Sequence, residues 1–216
     1  MPQPYAIVLE PRKSPVQARS AASVEAILEA TVQVLLAVGK ERLTTTRVAQ
    51  RAGVSVGTLY QYFPNKSSLL QAALRRHLEE ITNAVEAVCL EQDGKPLSQM
   101  ASALITGFLD AKMRNPKASV AMYSVSSDVD GAKIARQVGL HSGKAIAAMI
   151  ASSCEPLTND PHLVAAMLTS ALVGVSRRLI ESPAPEKELG PLKQELIFLA
   201  CAYLKACSAR QPAKLA

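Results

Sequence analysis

The chain has 216 residues, 49% of them hydrophobic but only 4% aromatic, and a formal net charge of +6. That length allows one large helical unit or a small domain plus a medium one, and the apolar share provides for a real core. The apolar residues are mostly Ala, Leu and Val, which suit packed helices better than sheets. No uninterrupted apolar run reaches the roughly eighteen residues of a membrane span. Met1–Pro15 lacks the basic-then-apolar order of a signal peptide, so the expected compartment is the cytoplasm and no membrane partner is expected.

The charge is uneven. Between Pro11 and Arg76 stand ten Lys or Arg, opposed only by Glu25, Glu29 and Glu41; that leaves +7 in this window and about −1 elsewhere. A basic segment beside a near-neutral remainder fits a nucleic-acid-binding head, although a plain solvated face is also basic. Cys89, Cys154, Cys201 and Cys207 show no CxxC or zinc-type spacing. They read as free thiols in a reducing cytosol, with a redox switch as the alternative.

Residues 1–18 read as a Pro-containing tail. A helical stripe follows at Val24, Ile27, Leu28, Thr31, Leu35 and Val38, and Gly39 ends it. A second, short helix is expected over Thr45–Ala52, with Val48, Ala49 and Ala52 as its apolar face. Gly53 stops it. Ser55 is a natural N-cap for a third helix running to about Phe63, and Pro64 ends that one. Asn65 can cap a long fourth helix reaching about Cys89. Two short helices joined by a three-residue turn containing glycine make a helix-turn-helix. Gly53 supplies the turn's backbone conformation, and Val54 and Leu59 plug the angle between the helices. The outer face of the third helix is then free to enter a major groove.

Beyond Leu90, helical patterns cover about Leu97–Met113, Lys117–Val125, Ala132–Ser153, His162–Glu181 and Leu192–Cys207. No segment alternates like a strand. The expected fold is all-α with about nine helices: a three-helix helix-turn-helix domain plus a C-terminal helical bundle. The expected division is 1–18 tail, 19–66 DNA-binding domain, 67–89 connecting helix, and 90–216 ligand-binding and dimerisation domain.

The run from Leu43 to Leu74, LTTTRVAQRAGVSVGTLYQYFPNKSSLLQAAL, resembles the DNA-binding signature of the TetR family of bacterial repressors. The resemblance rests on Thr45, Val48–Ala49, Ala52–Gly53–Val54–Ser55, Gly57–Thr58–Leu59–Tyr60, Tyr62–Phe63, Lys66 and Leu69–Leu70. Leu36 departs from it, standing where the family often has Phe. The resemblance implies a two-fold dimer whose paired heads read a palindromic operator on double-stranded DNA. Carried over, Thr45 and Thr46 sit near the backbone and groove edge. Val56, Gly57, Thr58, Tyr60 and Gln61 face bases or the groove wall, behind the capping Ser55. Tyr60, Tyr62 and Lys66 hold phosphates, and Lys66 adds charge near the start of the fourth helix. Arg47 and Arg51 read as phosphate contacts or as a solvated face. Arg12, Lys13 and Arg19 could form an arm in the minor groove.

The family also implies that the C-terminal helices dimerise and bind a small effector. The last two helices are apolar around much of their circumference, so each must bury more than one face. Met167, Leu172, Leu196, Leu199 and Tyr203 are the expected dimer contacts, with burial inside one subunit as the competing reading. Phe108, Met113, Met122, Tyr123, His141 and Met149 could line an adaptable pocket for a lipophilic effector, although each also reads as core. His141 has no partner at metal-ligand spacing. No nucleophile elbow, Gly-rich phosphate loop or paired acidic cluster occurs, so no catalytic residue, metal or cofactor is expected. The alternative to a ligand-released repressor is a protein of the same fold that activates transcription, or organises DNA, without a small ligand.

Overall fold

The computed structural model describes residues 18–127 and 129–209, apart from the side chains of Ala18, Arg19 and Ala209. The expected arm residues Arg12 and Lys13, and the side chain of Arg19, therefore lie outside it. The described residues form nine helices and no strand: α1 (Ala18–Arg42), α2 (Thr45–Ala52), α3 (Val56–Tyr62), α4 (Lys66–Glu91), α5 (Leu97–Met113), α6 (Pro116–Ser126), α7 (Gly131–Ala151), α8 (Pro161–Glu181) and α9 (Pro185–Ala209). By length and hydropathy alone, Ser20–Arg42 and Pro161–Glu181 could cross a bilayer. Each packs against other helices, α1 on α2 and α8 on α5 and α9.

Two compact units emerge. One holds the described residues up to His77 together with Lys117–Ala135; the other holds Leu78–Pro116 and the chain from Arg136 onward. This differs from the expected division at 66 and 89. Helix α4 is shared between the units, and α6 with the start of α7 groups with the head. The physical reason lies in side chains. Gln71 donates to the Val129 carbonyl (3.1 Å), and Ser119 meets His77 Nε2 (3.3 Å). Met122, Val125, Val129 and Ile134 are buried.

In the first unit the caps fall where short polar residues allow them. Thr44 is the N-cap of α2 and accepts from Arg47 N, and Gly53 closes α2 at φ 69°, ψ 28°, a left-handed conformation that suits glycine. Asn65 Oδ1 accepts from Ser68 N (2.8 Å) while Ser68 Oγ accepts from Asn65 N (3.3 Å), a reciprocal cap on α4. Gly39, at φ 77° and ψ 166°, breaks α1 three residues before its end. Gly131 is a third enforced glycine, for space and not for φ. A Cβ there would stand 2.5 Å from the Ser126 carbonyl oxygen and 2.6 Å from the Ser126 Cα. Backbone cannot swing aside as a side-chain tip can. Gly131→Ala is expected to destabilise the protein by about 1–3 kcal/mol. Chemical denaturation with unchanged m-value would show it; an unaltered midpoint would refute it.

The second unit is built on α5, α8 and α9. Leu104, Ile105, Leu109, Ile150, Leu168, Leu172, Leu196 and Leu204 are all buried in one cluster. Helix α9 begins seven residues before the expected Leu192 and runs through Pro191. Pro185 suits a first helical position, and Glu186 and Glu188 suit the positive end of the dipole. Ser182 Oγ donates to Glu188 Oε1 (2.7 Å), which ties that start down. Pro191 removes one helical hydrogen bond from an exposed position, which α9 tolerates.

Candidate nucleic-acid interface

The helix-turn-helix is held by apolar contact from within. Val48, Ala49, Leu59 and Phe63 are buried, as are Ile27, Leu35 and Leu43 beneath them. Leu59 inside fixes what α3 presents outside: Val56, Gly57, Tyr60 and Gln61 are exposed, and Thr58 and Tyr62 are half-buried. A methyl on Gly57 would meet nothing closer than Ser55 Oγ at 3.7 Å. The fold therefore does not demand glycine there. Tyr60 reaches back to the start of α2, where its hydroxyl meets Thr45 Oγ1 at 3.1 Å. One polar edge thus joins the N-terminus of α2 to the middle of α3. Thr46 and Arg47 are exposed beside it.

Four of the residues read as DNA contacts also have internal roles. Ser55 Oγ accepts from Thr58 N (2.9 Å) and pairs with Thr58 Oγ1 (2.8 Å), so it caps α3. Arg47 Nη1 donates to the Arg42 carbonyl (2.8 Å), and Lys66 Nζ to the Lys40 carbonyl (2.7 Å). Arg51 Nε donates to Gln33 Oε1 (2.6 Å), and Arg76 pairs with Glu25. Sequence reasoning missed Thr44 as the cap of α2, because three consecutive threonines offered no way to choose. It also missed the α1 carbonyls that accept from Arg47 and Lys66. Gly39 was the signal for those, since a broken helix end leaves acceptors that need donors.

The expected effector residues are divided between the two compact units. Met122 and Tyr123 belong to the first compact unit; Phe108, Met113, His141 and Met149 belong to the second. Met122 and Met149 are buried, Phe108 and Met113 half-buried, and Tyr123 and His141 exposed. The void among α5, α8 and α9, lined by Leu104, Leu168 and Leu196, measures about 10 Å³, room for about one water. A larger space of about 390 Å³ is an open groove between α4 and α5, beside Gln92, Ser102 and Thr106. Burial pushes the Cys89 thiol up to about 11, with Glu86 adding to it. That thiol is protonated at neutral pH and a poor nucleophile. Burial also raises Cys201. Among the described residues no three His, Cys, Asp or Glu gather as a metal site.

Of the expected dimer contacts, Leu172 and Leu196 are buried inside the subunit and cannot face a second copy. Their outward placement is corrected. The reason is phase: Leu168, Leu172 and Leu179 point into the core. Leu163, Met167, Ser170, Val173 and Gly174 form the exposed stripe of α8. On α9 the exposed large apolar residues are Phe198 and Leu199, with Tyr203 half-buried. Leu163 and Phe198, not among the expected contacts, are exposed on the same two helices.

A capped helix-turn-helix with an exposed outer face on α3, followed in the chain by a second helical unit, defines the class: a DNA-binding transcriptional regulator. Residues 27–73 match the family described as bacterial regulatory proteins, tetR family, and residues 96–204 match the tetracyclin repressor-like C-terminal domain. The chain is 33% identical to the HTH-type transcriptional repressor KstR of Mycolicibacterium smegmatis over 159 residues, 70% of this chain and 76% of that protein. The Haemophilus ducreyi nucleoid occlusion factor SlmA is 32% identical over 36% of this chain and 38% of its own length. Among solved structures, a TetR-family regulator from Mesorhizobium loti aligns with a TM-score of 0.69 at 18% identity, covering 87% of this chain and 98% of that one. The chain belongs to the TetR family.

Proposed function

We propose that this protein is a repressor that binds a palindromic operator as a homodimer in the cytoplasm and is released by a small-molecule effector. The observation carrying the DNA half is the exposed edge from Thr45 through Tyr60, with Val56, Gly57 and Gln61 beside it. Val56, Gly57, Thr58 and Gln61 face base edges; Thr45, Thr46, Tyr60 and Tyr62 set the head against the backbone. The exposed stripes of α8 and α9 support the homodimer, because a two-fold pairing buries the same face on both copies. Effector response rests on family membership. A ligand that binds better to a form with altered head spacing would draw the protein off its operator by population shift.

A second reading is favoured by the 32% identity, over 36% of this chain, to a nucleoid occlusion factor: a DNA-binding protein of this fold that activates or organises DNA without a small ligand. One experiment separates them. Bound sequences are selected from a random duplex pool, and release is then tested with a panel of lipophilic compounds. The repressor reading expects an inverted repeat and at least one releasing compound. Enrichment of single half-sites, or none, would overturn the operator. Failure of every compound would favour the second reading.

A further inference from the structure

We infer that Lys66 is a positioning residue: with Arg47 it clamps the broken end of α1 and so fixes the recognition helix relative to α4. The inference rests on the DNA-binding reading above. Gly39 turns the chain out of helical geometry, at φ 77° and ψ 166°, so the last carbonyls of α1 sit at an irregular helix end, where the Lys40 carbonyl accepts from Leu43 N at a long 3.4 Å. Three cations from three elements meet them. Arg42 Nε donates to the Val38 carbonyl (3.1 Å) from α1 itself. Arg47 of α2 donates to the Arg42 carbonyl (2.8 Å). Lys66, the first residue of α4, donates to the Lys40 carbonyl (2.7 Å) in a partly buried contact.

The placement has an electrostatic logic. A cation at the first position of a helix opposes that helix's own dipole, so Lys66 is poorly placed for α4. It is well placed for α1, whose C-terminal end carries partial negative charge. Among the described residues this carbonyl is the hydrogen-bond acceptor of the Lys66 ammonium. The same junction leads directly into the Thr44 cap of α2, from which Thr45 and Tyr60 are aligned. Lys66 thus acts on DNA through the orientation of α2 and α3.

The test separates orientation from charge. Each phosphate neutralised by a side chain contributes about 0.9 to the slope of log K against log salt. Operator affinity of the full chain is measured by fluorescence anisotropy across a salt series for wild type, Lys66→Met, Lys66→Gln and Lys66→Arg. Thermal midpoints are measured beside it, without DNA. The expected result for Lys66→Met is a tenfold or greater loss of affinity, a lower midpoint and an unchanged salt slope. Lys66→Arg, which keeps a donor for Lys40, restores most of both. Lys66→Gln keeps a neutral donor and folds if Lys66→Met does not; its slope also stays at the wild-type value. A slope shallower by about 0.9 per protomer in Lys66→Gln would overturn the inference, as would an unchanged midpoint in Lys66→Met. A wild-type chain that binds no operator would sink the DNA-binding reading alone, leaving the clamp to be judged on the midpoints.

Discussion

Gly57→Glu is expected to abolish specific operator binding while leaving the protein folded and no less stable. The stability half follows from local geometry. Gly57 is the second residue of α3, exposed, and a Cβ there would make only an ordinary 3.7 Å contact with Ser55 Oγ. Glutamate is a better helix former than glycine by roughly 0.5 kcal/mol, and a carboxylate in the first turn suits the helix dipole. The binding half follows from what that surface must meet. A carboxylate set between α3 and a phosphate-lined groove is repelled, and like-charge contact in an interface costs several kcal/mol. A loss of at least 100-fold, about 2.8 kcal/mol, is expected in an anisotropy titration. Gly57→Ala should fold equally well and lose less, since a methyl adds bulk without charge. Wild-type affinity in Gly57→Glu would place the DNA contact on another face.

The head was largely legible in the sequence because its signals are local. Thr45–Ala52 came out with the predicted bounds, since Gly53 and Ser55 act on their immediate neighbours. Leu97–Met113 did as well, bracketed by Pro96 and Asn115–Pro116. The roles of Arg47 and Lys66 were not legible. Their acceptors, the carbonyls of Arg42 and Lys40, are set by how α1 is broken and packed, and a basic residue reads the same in sequence whether it meets a phosphate or a carbonyl. The start of α9 was hidden for a different reason. Pro191 looks like a stop, and only the Ser182–Glu188 bond and the helix-compatible Pro185 show that the chain is already helical there. The grouping of α6 with the head depends on Gln71 finding Val129 across 58 positions, a contact that local pattern does not report.

Dimerisation exposes the same limit and carries the second large effect. Periodicity shows that α8 and α9 each have two apolar faces; it does not say which face looks inward. The structure turns Leu172 and Leu196 in, with exposures of 2% and 4%, and leaves Met167 and Leu199 out, each at 54%. Met167→Glu combined with Leu199→Glu is therefore expected to give a folded monomer at micromolar concentration, read by sedimentation equilibrium. In the proposed two-fold pairing four carboxylates would enter one apolar interface, and each buried unpaired charge costs several kcal/mol. Operator binding should fall toward the nonspecific range, roughly 10⁻⁴ to 10⁻⁶ M, because a single head reads only half of a palindrome. Leu172→Ala and Leu196→Ala serve as the contrast. Each should lower protomer stability by about 2–5 kcal/mol through the cavity it leaves, with dimer affinity changed only through that loss. A double glutamate variant that stayed dimeric would move the interface off α8 and α9 altogether.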